Sequence, residues 1–448
     1  MRRKIYDKLM EWKQRSKGTT ALLIEGARRV GKSWIVEEFA KREYADYLLI
    51  DFSVANDAVR DIFTYDLMNL DQFFRKLFAF YTKSLPIGKS LIIFDEVQLF
   101  PRAREAIKHL VADGRYHYIE TGSLLTLKEN EILLPSEEES LVMHPMDFEE
   151  YLWGLGEESL MDYIRSCFQD MCPMGPLLHR KAMDAIRSYM VIGGMPQVIS
   201  KYLRNNDLRE ADLEKRMILK LYRDDVAKHA GKYALKVSGI FDDIPAHLKN
   251  QNKVFHLSSM KKNARMRDYE DAFFWLDDAR IVNLCFNSTE PNVGLRMNRD
   301  RTLLKCYLGD TGLLLSLAFD ENELNVQEIH KRIIFESIEI NEGMLLENLV
   351  AQMLVASGHK LYFFTKSSQE DSQENMEIDF LISKSTLSRR KNISPVEVKS
   401  ARQYSTVSLD KFQRKYAQYV GRSFIIHPKD LQVEGNLTRI PVYMTPLL

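Results

Sequence analysis

Short apolar runs alternate with amphipathic stretches over residues 1–155. Continuous apolar runs that stand between helical patterns are typical of strands in a parallel sheet that is buried on both faces. The predicted strands are residues 20–25, 47–51, 90–94, 116–121 and 140–143. This alternation predicts an α/β domain built on a parallel sheet.

Helical periodicity dominates the next part of the chain. The predicted helices there are residues 181–191, 207–229 and 237–249. A further helix at 268–279 precedes a short apolar strand, a loop and a second strand at 303–308. This order resembles a winged helix, so we expect a helical and winged-helix-like middle domain over residues 156–340.

Strands return in the last part of the chain. A predicted helix at 343–356 precedes strands at 360–364, 377–382, 395–398 and 423–426, and the polar segment 365–376 is expected to be an exposed loop. We therefore predict three domains: an α/β domain over 1–155, the helical middle over 156–340, and an α/β C-terminal domain over 341–448.

A glycine-rich loop lies between the first predicted strand and a helical stretch at 34–41, which is the context of a true phosphate-binding loop. Two glycines let the backbone N–H groups turn toward phosphate oxygens, and the helix N-terminus adds positive potential. Lys32 can place an ammonium on the β- and γ-phosphates, and Ser33 can offer a hydroxyl to Mg²⁺. The predicted nucleotide-binding residues are Gly26, Ala27, Arg28, Arg29, Val30, Gly31, Lys32 and Ser33.

The third predicted strand delivers two carboxylates, Asp95 and Glu96, at its C-terminal end. Ligands collect at this edge of such sheets. Asp95 is predicted to hold Mg²⁺ together with Ser33, and Glu96 to act as the general base that activates water. Gln98 could touch the same water. The alternative is a strand that ends in a solvated acidic turn.

Polar residues at the end of the next strand are candidates to sense the γ-phosphate. Thr121 and Ser123 occupy these positions, although a plain polar turn would show the same pattern. Hydrolysis of a phosphoanhydride also calls for an arginine near the γ-phosphate. A neighbouring subunit could supply it, and the candidates within the chain are Arg102, Arg104 and Arg115.

A second group of acids lies in the C-terminal domain. Glu397 and Lys399 alternate along a predicted strand and share one face, Asp379 ends an earlier strand segment, and Glu347 lies on the preceding helix. Converging carboxylates can bind Mg²⁺, and a lysine beside them can orient water, as in metal-dependent phosphodiester cleavage. The alternative is a salt bridge between Glu397 and Lys399 with no metal.

A basic segment at 261–267 precedes the predicted helix at 268–279. Its positive side chains could meet a nucleic-acid backbone, whereas the bland interpretation is a solvated loop whose charges balance nearby acids. The formal net charge is zero, so no global field favours nucleic acid.

The bulk composition, 45% apolar and 28% charged, is that of an ordinary globular protein. The four scattered cysteines predict neither a disulfide framework nor a zinc site, and they favour a reducing, cytoplasmic setting. The N-terminus lacks the apolar core of a signal peptide, and no apolar run is long enough to span a bilayer. We expect no membrane anchoring.

The loop, the Asp95-Glu96 strand and the Thr121-Gly122-Ser123 turn are similar to those of AAA-type ATPases of bacteria and archaea that carry a C-terminal domain of unknown function. The resemblance extends over nearly the whole chain, through further motifs at residues 144–151, 193–196 and 308–314. It implies ATP as the nucleotide. One departure is the acidic segment 135–140, where the family often has a glycine-arginine pair.

The order of helix glutamate, aspartate and glutamate-x-lysine resembles the PD-(D/E)xK nuclease superfamily. The resemblance implies that Asp379 and Glu397 bind metal, that Lys399 assists water and that Glu347 completes the shell. The sequence therefore predicts a Mg²⁺-dependent ATPase coupled to DNA or RNA binding or processing, which could act as an oligomer. The alternative is a nucleotide-gated binding module whose nuclease-like domain does not cut.

Overall fold

The computed structural model describes residues 1–122, 136–250, 252–257, 260, 264–292, 294–319, 328, 333, 342–366, 374–383, 392–401 and 403–448. Contacts divide the chain into two units, Met1–His144 and Pro145–Leu448. Each unit has its own sheets and helices.

The first unit is built on a parallel sheet of five strands. The strands are Ala21–Glu25 (β1), Asp46–Asp51 (β2), Ser90–Asp95 (β3), His117–Gly122 (β4) and Glu138–Val142 (β5). Their order across the sheet is β2-β3-β4-β1-β5, and each neighbouring pair is parallel. The predicted parallel sheet is confirmed. Because the strands are parallel, the carboxyl ends of β1, β3 and β4 lie at the same edge of the sheet.

Helices flank this sheet, namely Ile5–Ser16 (α1), Lys32–Glu43 (α2), Asp57–Tyr65 (α3), Leu70–Tyr81 (α4) and Pro101–Asp113 (α5). Local chemistry sets their ends. Asn56 and Asn69 cap α3 and α4 through their side chains, and α5 begins at Pro101 and ends at Gly114 with a φ of 73°. Apolar faces of α3, α4 and α5 join strand residues in a buried core rich in phenylalanine.

Helices occur along the whole second unit and are most frequent in its first half. They are Phe148–Leu155 (α6), Glu158–Asp170 (α7), Pro176–Ile192 (α8), Pro196–Asn205 (α9), Leu208–His229 (α10), Ala234–Lys249 (α11), Glu270–Asp278 (α12), Thr311–Ala318 (α13), Glu342–Ala356 (α14) and Val407–Lys415 (α15). Asp147 and Glu150 form a capping box at the start of α6, and prolines open α8 and α9. The predicted helices of the middle region are present.

Two mixed sheets complete the second unit. The first contains Val282–Ser288 (β6), Arg299–Leu308 (β7), Tyr362–Lys366 (β8) and Met376–Ile378 (β9), in the order β7-β6-β8-β9. The second contains Phe380–Ser383 (β10), Ile393–Val398 (β11), Ser423–His427 (β12), Gln432–Glu434 (β13) and Leu437–Pro441 (β14), in the order β10-β11-β12-β14-β13. The single strand predicted at 377–382 is thus two strands, which separate at Asp379 and enter different sheets.

The helix and hairpin on which the winged-helix prediction rested are present as α12, β6 and β7. However, β6 also pairs with β8, so the hairpin belongs to a larger sheet. The winged-helix and nuclease-like assignments stay predictions. In the described part of the chain, no helix is both long and apolar enough to cross a membrane.

Candidate functional site

The glycine-rich loop connects β1 to α2 and is curled by two left-handed residues. Arg29 has a φ of 70° and Gly31 has a φ of 95°. Gly26 lies so close to the backbone oxygen of Met143 that a Cβ would collide with it. The loop therefore needs glycine at residue 26 for close packing and at residue 31 for its backbone conformation.

Lys32 begins α2 and points back into this loop. Its ammonium donates to the backbone oxygens of Gly26 at 3.0 Å and Ala27 at 3.1 Å. A lysine held against the carbonyl groups of its own loop is placed to move onto an incoming phosphate. By contrast, Arg28 and Arg29 of the same loop are exposed.

Asp95 joins three elements at the carboxyl edge of the sheet. Its Oδ1 accepts hydrogen bonds from the hydroxyl of Ser33, at 2.8 Å, and from the hydroxyl of Thr121. Burial raises the pKa of Asp95, while these two hydrogen bonds lower it. The structure therefore brings together a serine in the first turn of α2, the last residue of β3 and a threonine near the end of β4. Hydroxyl and carboxylate oxygens suit Mg²⁺, so Ser33 and Asp95 fit this ion.

Glu96 follows Asp95 in a left-handed conformation, with a φ of 52°. Such a conformation is uncommon for a residue other than glycine and is found more often at functional sites. The Gln98 side-chain amide donates to a carboxylate oxygen of Glu96. Gln98 is buried and also lies against Gly122, so it holds the predicted general base in place. Ser123, the other predicted sensor, lies outside the described residues.

Each of the three candidate arginines has a partner within the first unit. Arg102 donates to the backbone oxygen of Thr64 at 3.1 Å. Arg104 is buried and pairs with Glu138 at 2.6 Å, and Arg115 pairs with Asp113 at 2.6 Å. Arg104 thus neutralises part of the acidic segment that departs from the family pattern.

Arg3 is a residue of this site that the sequence did not point to. It is buried, and its guanidinium donates to the backbone oxygens of Val30 at 2.8 Å and His144 at 2.7 Å. It thus supports the glycine-rich loop from behind. The one signal in the sequence was the basic start of the chain, which does not distinguish a buried arginine from a solvated one.

The predicted metal ligand Glu347 is already surrounded by hydrogen-bond donors. Lys305 Nζ lies 3.4 Å from its Oε1, Lys253 Nζ lies 2.5 Å from its Oε2, and the hydroxyl of Tyr307 donates to Oε1. Burial raises the pKa of Glu347, but the charges of Lys305 and Lys253, together with hydrogen bonds from Lys253 and Tyr307, lower it overall. Lys305 was not among the predicted site residues. A lysine within the apolar run 303–308 is nevertheless a sign of a buried charge that needs a partner.

Asp379 and Glu397 lie near this group but have different surroundings. Asp379 Oδ1 is 3.8 Å from Lys305 Nζ, and its Oδ2 accepts the backbone N–H of Val398 at 2.8 Å. Glu397 Oε2 is 2.8 Å from Lys399 Nζ, yet among the described residues neither oxygen accepts a well-oriented hydrogen bond. Burial raises the pKa of Glu397 to about 7 against the opposing charge of Lys399.

The three predicted metal ligands therefore form ion pairs with different lysines. Glu347 and Asp379 face Lys305, while Glu397 faces Lys399. Within the described ranges, no group of three or more histidine, cysteine, aspartate or glutamate residues is arranged to hold a metal ion. This arrangement favours ion pairing over metal binding.

Three segments that carried the family resemblance meet inside the second unit. Met146 N–H donates to the Gly194 oxygen at 2.7 Å, and Gly194 N–H donates to Asp310 Oδ2 at 2.5 Å. Gly312 packs against Ile192 and Gly193 so closely that a Cβ would lie 2.6 Å from Gly193 N. We call residues 146, 193–194 and 310–312 the glycine junction.

Part of the basic segment is described. Arg265 and Arg267 are exposed, and Arg267 lies 3.8 Å from Asp268, whereas residues 261–263 are outside the described part of the chain. A nucleic-acid contact at this segment stays a prediction.

Comparison with protein families supports the first site. Residues 18–152 match the AAA domain family, residues 183–325 match a domain of unknown function (DUF8612), and residues 342–445 match another domain of unknown function (DUF4143). The match over residues 18–152 supports the predicted P-loop ATPase domain and ATP binding. The C-terminal family supports no activity.

The similarity to individual proteins is weaker than the similarity to these families. No curated protein matches the chain. Among solved structures, a Walker-type ATPase of Pyrococcus abyssi is 14% identical, with 70% of this chain and 95% of that chain covered and a TM-score of 0.41. A DNA replication initiation factor is 12% identical, with 62% and 77% covered and a TM-score of 0.22. At these TM-scores neither likeness informs function.

Proposed function

We propose that the first unit binds ATP with Mg²⁺ and hydrolyses it. The observation that carries this proposal is the meeting of Ser33, Asp95 and Thr121 beside the curled loop. Lys32 would bind phosphate oxygens, and Glu96 would accept a proton from the attacking water while Gln98 holds its carboxylate. The choice of ATP over GTP rests on the AAA family match.

Mg²⁺, when bound, would supply positive charge to the phosphate oxygens, and Ser33 and Asp95 would hold it. The surrounding residues would assist by holding the Mg²⁺ ligands and the glycine-rich loop in place. Thr121 keeps the carboxylate of Asp95 directed at Ser33, and Arg3 keeps the loop against the rest of the unit. The proposal includes a cytoplasmic location, in line with the free cysteines at 167, 172, 285 and 306.

Phosphate release from ATP tests this proposal. Replacing Lys32 with alanine should lower turnover by at least about 100-fold, because the phosphates lose their ammonium partner. A matched control is Lys41→Ala, since Lys41 is an exposed lysine of the same helix that pairs with Glu37 at 2.9 Å. Turnover that survives Lys32→Ala would contradict the assignment.

A second variant separates chemistry from binding. Glu96→Gln keeps the size of the side chain but removes the base, so we expect hydrolysis to fall by about 100-fold or more. Binding of a fluorescent ATP analogue should stay near that of the unchanged protein. Equal turnover in both proteins would remove Glu96 from the mechanism.

For the C-terminal region we propose nucleotide-gated recognition of DNA or RNA without cleavage. The order of α14, β8, β9, β10, β11, α15 and β12 supports a nuclease-like fold. The ion pairs that Lys253, Lys305 and Lys399 form with the predicted metal ligands favour binding over cutting. The competing proposal is metal-dependent cleavage in which Asp379 and Glu397 bind the metal and Lys399 assists water.

Nuclease and binding assays distinguish these functions. Purified protein, with Mg²⁺ or Mn²⁺ and with or without ATP, should leave plasmid and single-stranded DNA and RNA intact but shift their mobility in an ATP-dependent way. Cleavage by the unchanged protein that disappears in Glu397→Ala would instead establish a nuclease. Intact nucleic acid with no binding under any nucleotide condition would reject both functions.

A further inference from the structure

Lys305 places a positive charge inside the C-terminal carboxylate group. It lies on β7 with its side chain 1% exposed, and its ammonium is 3.4 Å from Glu347, 3.2 Å from Glu377 and 3.8 Å from Asp379. On another side the ammonium stands 5.1 Å from the centre of the Phe363 ring. A buried lysine with several carboxylate neighbours is held firmly, because withdrawing it would leave buried negative charges without compensation.

We propose that the ammonium of Lys305 takes the place of a metal ion among Glu347, Glu377 and Asp379, so that this group is assembled without a divalent cation. We call these four residues the lysine-centred cluster. A divalent ion that bound the same oxygens would lie next to the ammonium, and the two positive charges would repel each other in a poorly screened interior.

The second oxygens of Glu347 and Asp379 are also in use. Lys253 lies 2.5 Å from the second oxygen of Glu347, and the second oxygen of Asp379 accepts the N–H of Val398. Tyr307, which is fully buried, donates to Glu347 as well. Metal binding would have to displace several of these partners at once, at a cost for each group left unpaired.

The cluster also explains how separate elements are joined. Lys305 comes from β7, Glu347 from α14 and Glu377 from β9, and Asp379 lies where β9 passes into β10. A lysine on a strand cannot leave when conditions change, whereas a metal ion can dissociate. The cluster is therefore a permanent link between these elements and does not depend on the supply of metal.

This inference deepens the proposal of recognition without cleavage and rests on it for its functional meaning. Its test is Mn²⁺ binding to the full chain, followed by electron paramagnetic resonance and calorimetry. An Asp95→Asn background removes the Mg²⁺ ligand of the first unit. In that background we expect no Mn²⁺ site that depends on Glu347.

The decisive variant adds Lys305→Met, which removes the ammonium and keeps an unbranched side chain. If folded, as judged by circular dichroism, it should bind one Mn²⁺ at least tenfold more tightly than the Asp95→Asn chain. The gain should disappear when Glu347→Gln is added. Lys305→Arg keeps the charge and should show no gain.

Two results would overturn the inference. The first is that the Asp95→Asn chain binds Mn²⁺ and loses this binding when Glu347→Gln is added. This result decides the question even if Lys305→Met does not fold. The second is a folded Lys305→Met variant that gains no Mn²⁺ site. If the protein cleaves nucleic acid but has no Mn²⁺ site at the cluster, the proposed recognition function is wrong and the inference about Lys305 stands. If the cluster binds Mn²⁺ and no cleavage occurs, the inference is wrong and the recognition function stands.

Discussion

Each of the two sites contains a buried carboxylate, and the groups around that carboxylate determine whether it can bind a cation. Asp95 is buried but receives two hydroxyl groups, so its carboxylate is prepared for a cation. Glu397 is also buried but accepts no well-oriented hydrogen bond in the described part of the chain. A buried carboxylate is therefore a metal-ligand candidate in one unit and a source of instability in the other.

Glu397 should make stability fall as the pH rises. Burial raises its pKa from 4.5 to about 7 in the folded chain, so between these values the folded state keeps a proton that the unfolded state releases. Unfolding then releases a proton, and the free energy of unfolding decreases with rising pH until about pH 7, above which this contribution is constant.

Replacing Glu397 with glutamine should remove that slope. Denaturant unfolding between pH 4.5 and 8 would show a flatter curve for the variant, which should be more stable at pH 8 by roughly 1–3 kcal/mol. Glu434→Gln is the control, because Glu434 is exposed and pairs with Arg439 on the surface. A variant with the same pH dependence as the unchanged chain would mean that Glu397 titrates normally.

At the scale of elements, the glycine junction lets three segments approach at backbone distance. A Cβ on Gly194 would collide with the backbone oxygen of Met146, and one on Gly312 would lie 2.6 Å from Gly193 N. Asp310 then reaches both Gly194 N–H and the first turn of α13, where it caps Leu313 N–H at 2.9 Å. The junction thus fixes α8, α9 and α13 together.

Alanine at either junction glycine should destabilise the second unit. Gly194→Ala and Gly312→Ala force backbone atoms apart, so we expect a loss of roughly 1–3 kcal/mol or more in the free energy of unfolding. Gly343→Ala is the matched control, because among the described residues no atom outside its own helix backbone lies within 4 Å of its Cβ position. Thermal unfolding would measure the difference, and equal losses in all three variants would show that packing at the junction is not the cause.

At the scale of the whole molecule, nucleotide gating requires that ATP alter the second unit. Hydrogen exchange of the full chain measures this directly. We expect ATP with Mg²⁺ to protect amides of β1 and α2 and also to change exchange in the second unit, and Lys32→Ala should abolish both effects. Protection confined to Met1–His144 would leave an ATPase but contradict gating.

The sequence alone determined the features that local patterns encode. The phosphate loop was recognised from glycines, Lys32 and Ser33 at set spacing, and the parallel sheet from short apolar runs between helices. The strand 90–94 correctly placed Asp95 and Glu96 at its end. These signals are local because backbone conformation and strand burial depend mainly on nearby residues.

Only the tertiary structure decided which distant side chains meet. It brought Arg3 to Val30 and His144, Thr121 to Asp95, and Lys305 to Glu347. It also divided the predicted strand at 377–382 between two sheets at Asp379. The sequence could show that carboxylates were available, but not that a lysine from β7 would lie among them, because the partner of a buried charge is set by the packing of elements far apart in the chain.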